Sequence, residues 1–100
     1  MRKNTEQCLN AFVSGREYHG DRDRITVSKN GTIAWELHGN MIAKAFWSDG
    51  VHLCLSTCGW DTNTTWDRLR AIANHYGIAL ERKSFSSGTF TLTSKGVNHV

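Results

Sequence analysis

The stretch GWDTNTTWDRLRAI, Gly59 to Ile72, decides how this chain folds. Its first half crowds Asp61, Thr62, Asn63, Thr64 and Thr65 together, and its second half repeats like a helix. Trp66, Leu69, Ile72 or Ala73, and Tyr76 recur at helical spacing, so residues 64 to 76 are expected to coil, with Gly77 as the stop. Thr64 is the expected N-cap, because its hydroxyl can accept from an otherwise orphan N–H of the first turn, and Asp67 stands three residues on as a shortened capping box. Asp67 also meets the positive end of the helix dipole. The polar knot therefore reads first as capping and turn chemistry. It holds more hydroxyls than one cap uses, however, and exposed N–H groups at a helix start can bind an anion.

Upstream of this helix the period changes to two. In RITVSKNGTIAWEL, Ile25 and Val27 alternate with polar residues, and Ile33, Trp35 and Leu37 alternate after them. Asn30-Gly31 between the runs is a hairpin signal, since both residues tolerate positive φ. A second tight turn is read at His38 to Asn40, then a strand in MIAKAFW, a turn at SDG and a strand in VHLCLST. Short turns between four such strands predict an antiparallel meander. Ala43 and Ala45, flanked by Met41 and Trp47, leave room for a helix against that face.

At the start, NTEQCLNAFVSG predicts a helix capped by Asn4 or Thr5, with Cys8, Leu9, Phe12 and Val13 on one stripe and Gly15 in the left-handed position that ends it. REYHGDRDR reads as a charged connection without period. After Gly77, IALERK and GTFTLTSKG read as two further strands around the SFSSG turn, and the tail VNHV as frayed. The expected fold class is α+β: an antiparallel sheet of about six strands packed against two helices, in the order α-β-β-β-β-α-β-β.

The totals fit one small domain. A chain of 100 residues buries roughly two thirds of its unfolded surface, enough for one modest core. The apolar share of 39% and ten aromatic residues suit a globular protein rather than a disordered one. No apolar run approaches the ~18 residues a bilayer span needs, and MRKNTEQCLN has no apolar segment of the signal-peptide kind. Three cysteines without a framework spacing predict a reduced, cytosolic chain. A net charge of +3 permits an anionic partner without demanding one.

Two motifs add a resemblance. LHGNMIA (Leu37 to Ala43) and, further on, GWDTNTTWDRL (Gly59 to Leu69) resemble a recurrent group of small tailed-bacteriophage proteins with the pattern L-H-G-N-x-I-A, then G-W-x-T-x-T-T-x-x-R-L. The helix ending in NAFVSG is also similar. The likeness covers Asn10 to Ile72 and departs in the last hairpin, where this chain has SSGTFTL. It implies a viral origin and the cytoplasm of an infected host, and brings no activity with it.

Four chemistries compete for the remaining residues. His52, Cys54 and Cys58 give H-x-C-x3-C, with His38 and His75 as further donors suited to zinc. No C-x2-C pair exists, and a half-exposed histidine with two small thiols explains the same letters, so no metal and no cofactor are expected. A nucleophilic site would need a cysteine, a histidine and an aspartate in one place, and nothing in the sequence gathers them; the chain is expected not to be an enzyme. Nucleic-acid binding would use Arg68 and Arg70 near the second helix start, Lys44, Arg82 and Lys83 on strands, and Trp47, Trp60 and Trp66 for stacking, with Arg68 holding a phosphate beside Thr64. Asp61 and Asp67 set negative charge at the same spot. Protein binding would use a sheet face left open by helices on the other side. By simple alternation Ile42 and Phe46 share a face with Lys44, an apolar patch with a basic rim, which a homodimer mate or the charged loop can equally cover.

The resulting expectation is a phage-encoded, non-enzymatic binding module that holds a host protein, of host-takeover or anti-defence type, in the host cytoplasm. The alternative is a nucleic-acid-binding phage accessory protein. The contact residues expected on either reading are Lys44, Trp47, Trp60, Thr62, Thr64, Thr65, Arg68 and Arg70.

Overall fold

The computed structural model describes residues 3–47, 51–59, 62–78, 80 and 89–94. Their elements run α1 (Lys3–Ser14), β1 (Tyr18–His19), β2 (Asp23–Val27), β3 (Ile33–Leu37), β4 (Asn40–Trp47), β5 (Val51–Ser56), α2 (Asn63–His75) and β6 (Thr89–Ser94). The strands form one antiparallel sheet in chain order, β1 to β6, so every strand neighbours its predecessor.

The α+β class with two helices on an antiparallel sheet holds, and the strand composition differs from expectation. Five strands have five residues or more, and the two-residue β1 adds an edge by pairing Tyr18 with Ile25 and His19 with Arg24. The order is α-β-β-β-β-β-α-β among the described residues. The expected IALERK strand, the SFSSG and SDG turns and the VNHV tail lie outside them, apart from Ile78 and Leu80, which have no strand assignment and pack partly buried against the core.

Alternation puts one side of the sheet under the helices. Ile25, Trp35, Ala43 and Leu55 follow one another across neighbouring strands, as do Ile33, Ala45 and Leu53, and all are buried. The two alanines leave the space in which α2 crosses β4, and α1 lies beside α2 over β2 and β3. From α1 come Cys8, Ala11 and Phe12, whose ring tilts against Trp35 at 5.7 Å between centroids. From α2 come Trp66, Leu69 and Ile72, and Tyr76 closes the core beyond it. Burying such side chains contributes about 1.5–3 kcal/mol each, which holds both helices to the sheet.

Three local expectations need correction. The β2–β3 connection is a five-residue loop, Ser28 to Thr32, and not a two-residue turn at Asn30-Gly31. Gly31 alone there takes positive φ (88°), while Asn30 uses its side chain: Oδ1 accepts from the Ser28 hydroxyl, and from the Thr32 N–H at 3.1 Å. Second, the β3–β4 pairing shifts register, with Trp35 opposite Ala43 but Glu36 opposite Met41. The skipped residue is Ile42. Such a bulge rotates the chain locally, so Ile42 turns into the core at 2% exposure instead of sharing the open face with Lys44 and Phe46. Third, Thr62 and not Thr64 caps α2. Thr62 is extended (φ −109°, ψ 159°) and its hydroxyl accepts from the Thr65 N–H at 3.2 Å. That frame starts the helix early enough to bury both Thr65 and Trp66 in its first turn.

Candidate functional site: a cleft between two motifs

The first turn of α2 fixes what its next turn does. With Thr65, Leu69 and Ile72 facing the sheet, Arg68 falls on the same face, because residues three and four apart share a side. It is only 2% exposed and meets Asp23 of β2, 3% exposed, in a forked ion pair: Nε donates to Oδ1 and Nη2 to Oδ2, each at 2.9 Å. Trp35 Nε1 donates to the same Oδ1 at 2.9 Å. Arg68 Nη1 donates to the Thr64 carbonyl oxygen at 3.3 Å and lies 3.7 Å from Asp67 Oδ2, which in turn accepts from the Thr5 hydroxyl at 2.5 Å. One polar chain thus ties α1, α2, β2 and β3 together.

The electrostatics follow from that enclosure. Burial pushes the Asp23 carboxyl up, but the Arg68 and Trp35 hydrogen bonds and the Arg68 charge outweigh it and hold the group below the usual carboxylate range. The hydrogen bond to Asp23 outweighs burial at Arg68 and raises its guanidinium. Cys8, packed beside the pair, is pushed up to about 12, first by burial and then by the Asp23 charge. Arg68 is therefore a neutralised internal strut. It does not sit at the surface to hold a phosphate, as its place beside Thr64 had suggested.

Beyond this strut the chain opens a cleft of about 400 Å³. One wall is the β3–β4 turn. His38 and Gly39 carry φ of 53° and 81°, the paired left-handed geometry of a two-residue hairpin turn, and histidine is among the residues that tolerate it. This turn brings Leu37 opposite Asn40, and the bulge adds Ile42. The other wall is the β5–α2 connection. It turns at Cys58 and Gly59, again with φ of 53° and 81°, and the Cys58 thiol donates to the Met41 carbonyl oxygen at 3.0 Å, holding the walls together. The cleft is lined by Leu37, His38, Asn40 and Ile42 on one side and by Thr57, Thr62, Thr64 and Thr65 on the other. Leu37 and Ile42 are the apolar floor. The rest are hydroxyls, an amide and an imidazole.

The hydroxyls are unequally engaged. Thr62 caps, and its Oγ1 lies 3.0 Å from that of Thr65. The side chains of Thr57, Thr64 and Asn40 also line the cleft, and among the described residues no buried side-chain nitrogen or oxygen lacks a hydrogen-bond partner. Thr57 is 7% exposed and lines the cleft.

The expected contact residues scatter. Thr62, Thr64 and Thr65 meet at the cleft, although Thr65 is buried. Arg68 is internal. Arg70 is exposed, with its guanidinium carbon 5.9 Å from the centre of the buried Trp66 ring, which it shields. Lys44 is exposed on the sheet face away from the helices. The Trp47 side chain, Trp60, Arg82 and Lys83 lie outside the described residues. Sequence reasoning missed Thr57, Asn40, Leu37 and Ile42 as lining residues. The signal available was that the two motifs already singled out, LHGNMIA and GWDTNTTWDRL, supply seven of the eight between them. His52 and Cys54 lie on the uncovered sheet face and Cys58 in the turn beyond it; among the described residues no three His, Cys, Asp or Glu side chains converge as a metal site.

On the uncovered face, Met41 is 45% and Phe46 39% exposed. Phe46 stacks on its cross-strand neighbour His52, with ring centroids 4.5 Å apart and planes 3° from parallel. Lys44 stands between Ala34 and Cys54 in the same rows.

This small α+β chain is a phage protein. It belongs to the Kyanoviridae Gp96 protein family, whose model matches residues 1–99. No curated protein matches the chain, and no solved structure does. No helix among the described residues is long and apolar enough to cross a membrane.

Proposed function

We propose that this phage protein is a non-enzymatic binding module that holds a host protein by stoichiometric contact in the host cytoplasm, in a host-takeover or anti-defence role. The observation that carries the reading is the sheet face the helices leave uncovered. Met41 and Phe46 are the large apolar side chains exposed among the described residues, and both lie on it, with Lys44 between them along β4 and, opposite Met41, Glu36, itself paired across the sheet with Arg24. An apolar centre with charged neighbours suits a protein contact better than a nucleic acid. The Phe46–His52 stack shields one face of each ring, which weakens the face as a platform for bases. With Arg68 neutralised by Asp23, the expected basic cluster at the α2 start is reduced to Arg70.

The test is affinity capture from lysate of the phage's bacterial host, followed by calorimetry with the purified partner. A 1:1 complex that Phe46→Asp weakens by tenfold or more supports the reading. No reproducible partner, or a complex indifferent to Phe46→Asp and Lys44→Glu, overturns it. Retention of DNA or RNA at low salt, lost with Lys44→Glu plus Arg70→Glu, establishes the nucleic-acid role instead.

A further inference from the structure

We infer that the uncovered sheet face pairs with the same face of a second copy of this chain, as a reversible two-fold dimer. The sheet register carries the argument. On that face Arg24, Glu36 and Met41 form one cross-strand row, Ala34 and Lys44 the next, and Phe46 lies beyond Lys44 along β4. Neighbouring strands are about 4.8 Å apart and alternate residues about 6.6 Å, so Glu36 and Lys44 sit diagonally, roughly 8 Å from each other. Their opposite charges stand on either side of the line from Ala34 to Met41. Among the described residues the ion pairs are those of Arg68, so Arg24, Glu36 and Lys44 form none within the chain.

A two-fold axis lying in the face along that line makes the face its own complement. In such a contact residue i meets residue j of the mate, and j meets i. Lys44 of each copy falls on Glu36 of the other, which gives two equivalent charge pairs. Ala34 lies on the axis and its small side chain lets the sheets approach, while the exposed Met41 meets Met41 of the second copy. Phe46 falls near Arg24 of the second copy, whose guanidinium can cover the ring face that His52 leaves open. Five strands of about five residues make a face of roughly 20 by 17 Å, so two copies bury about 1,000 Å² of accessible surface, the low end for a specific contact. The dimer is therefore expected to dissociate in the micromolar range. This goes beyond the host-protein reading: the free chain keeps its apolar face covered by a mate, and a tighter host partner displaces it. The purified chain alone tests the dimer and lysate capture tests the host partner, so either can fail alone.

The experiment is sedimentation equilibrium of the purified full chain from about 10 µM to about 1 mM, at roughly 0.1 M salt. The parent is expected to pass from monomer to dimer over that range. Lys44→Glu or Glu36→Lys sets like charges opposite one another in both contacts and should weaken the dimer about tenfold or more. An equimolar mixture of those two variants, and the chain carrying both substitutions, set opposite charges against each other again. Both should return to within about threefold of the parent. Met41→Asp, at the axis, should weaken the dimer about tenfold without repair by mixing. Circular dichroism checks that each variant folds; if Glu36→Lys does not, Lys44→Glu and Met41→Asp carry the expectation. A chain that stays monomeric throughout, a dimer indifferent to both charge reversals, or a loss that neither mixing nor exchange repairs overturns the inference. A monomeric chain that still captures a host protein through Phe46 gives the face to that protein alone.

Discussion

Arg68→Met is the sharpest test of how this fold is held. The methionine keeps most of the arginine's volume and loses its charge and donors. Asp23 stays 3% exposed and retains one hydrogen bond, from Trp35 Nε1. Removing one partner of a buried ion pair costs about 3–5 kcal/mol. A single domain of this size is stable by about 5–15 kcal/mol, so a large part of its margin goes. At about 4 °C per kcal/mol the melting point falls by roughly 12–20 °C. The pH dependence adds a signature that mere loss of packing lacks. In the parent the folded Asp23 pKa is lowered, so its contribution is present above the unfolded value, about 3.9, and is lost as pH falls through the folded value. In Arg68→Met burial, already the largest influence on Asp23, is opposed by the Trp35 bond and the His38 charge alone, and the folded pKa is expected to rise. The contribution of Asp23 then has the opposite sign: it is complete below the unfolded pKa and lost as pH rises through the folded one. Urea unfolding followed by tryptophan fluorescence at pH 4, 5.5, 7 and 8 reads this directly. The gap between parent and variant should be widest at pH 7–8 and narrow toward pH 4. Asp23→Asn added to Arg68→Met should recover about half of the loss or more, because a neutral amide still accepts from Trp35 and no longer needs a cation. A variant within about 1 kcal/mol of the parent at pH 7, or one with the parent's pH slope, refutes the strut.

Two further outcomes follow from the same geometry. Thr62→Ala should cost about 1 kcal/mol in urea unfolding, the usual loss of an N-cap hydroxyl, whereas Thr64→Ala should cost less than about half of that, since its side chain does not cap. Equal costs would return the cap to the register expected from sequence. Labelling with a thiol-disulfide reagent at pH 8 should find Cys58 fast, Cys54 slower and Cys8 silent until the chain opens. Cys8 is fully buried with its thiol pushed up to about 12, whereas Cys58 is exposed; rapid labelling of Cys8 in the folded parent would contradict the packing of α1 on the sheet.

Both helices and the five longer strands were legible because their signals are periodic and local. Leu69 and Ile72 repeat at helical spacing, and Ile33, Trp35 and Leu37 at strand spacing, so each announces its own inward side. What was illegible depends on distant partners or on single skipped residues. Two residues cannot show a period, so β1 exists only because Tyr18 has Ile25 to pair with. A bulge breaks the very alternation used to read faces, which is why Ile42 was placed with Lys44. Arg68 and Asp23 are 45 residues apart. Each left a faint trace: Arg68 occupies the inward stripe of α2, and Asp23 stands in phase with Ile25 and Val27. A charge in phase with a core is a candidate buried partner, and here there were two of opposite sign.

The polar knot before α2 follows a different logic. Capping explains Thr62, and Thr65 shares its hydrogen bond; nothing in capping or turn formation uses the hydroxyls of Thr57 and Thr64. At the opposite wall Leu37 and Ile42 line the cleft at only 3% and 2% exposure, so their apolar surface is already covered. The two turns, each built on a pair of positive-φ residues, set these walls apart and the Cys58–Met41 contact holds them so. Stability therefore accounts for the frame of the cleft: a cap, two positive-φ turns and one thiol contact set the start of α2 against the β3–β4 turn.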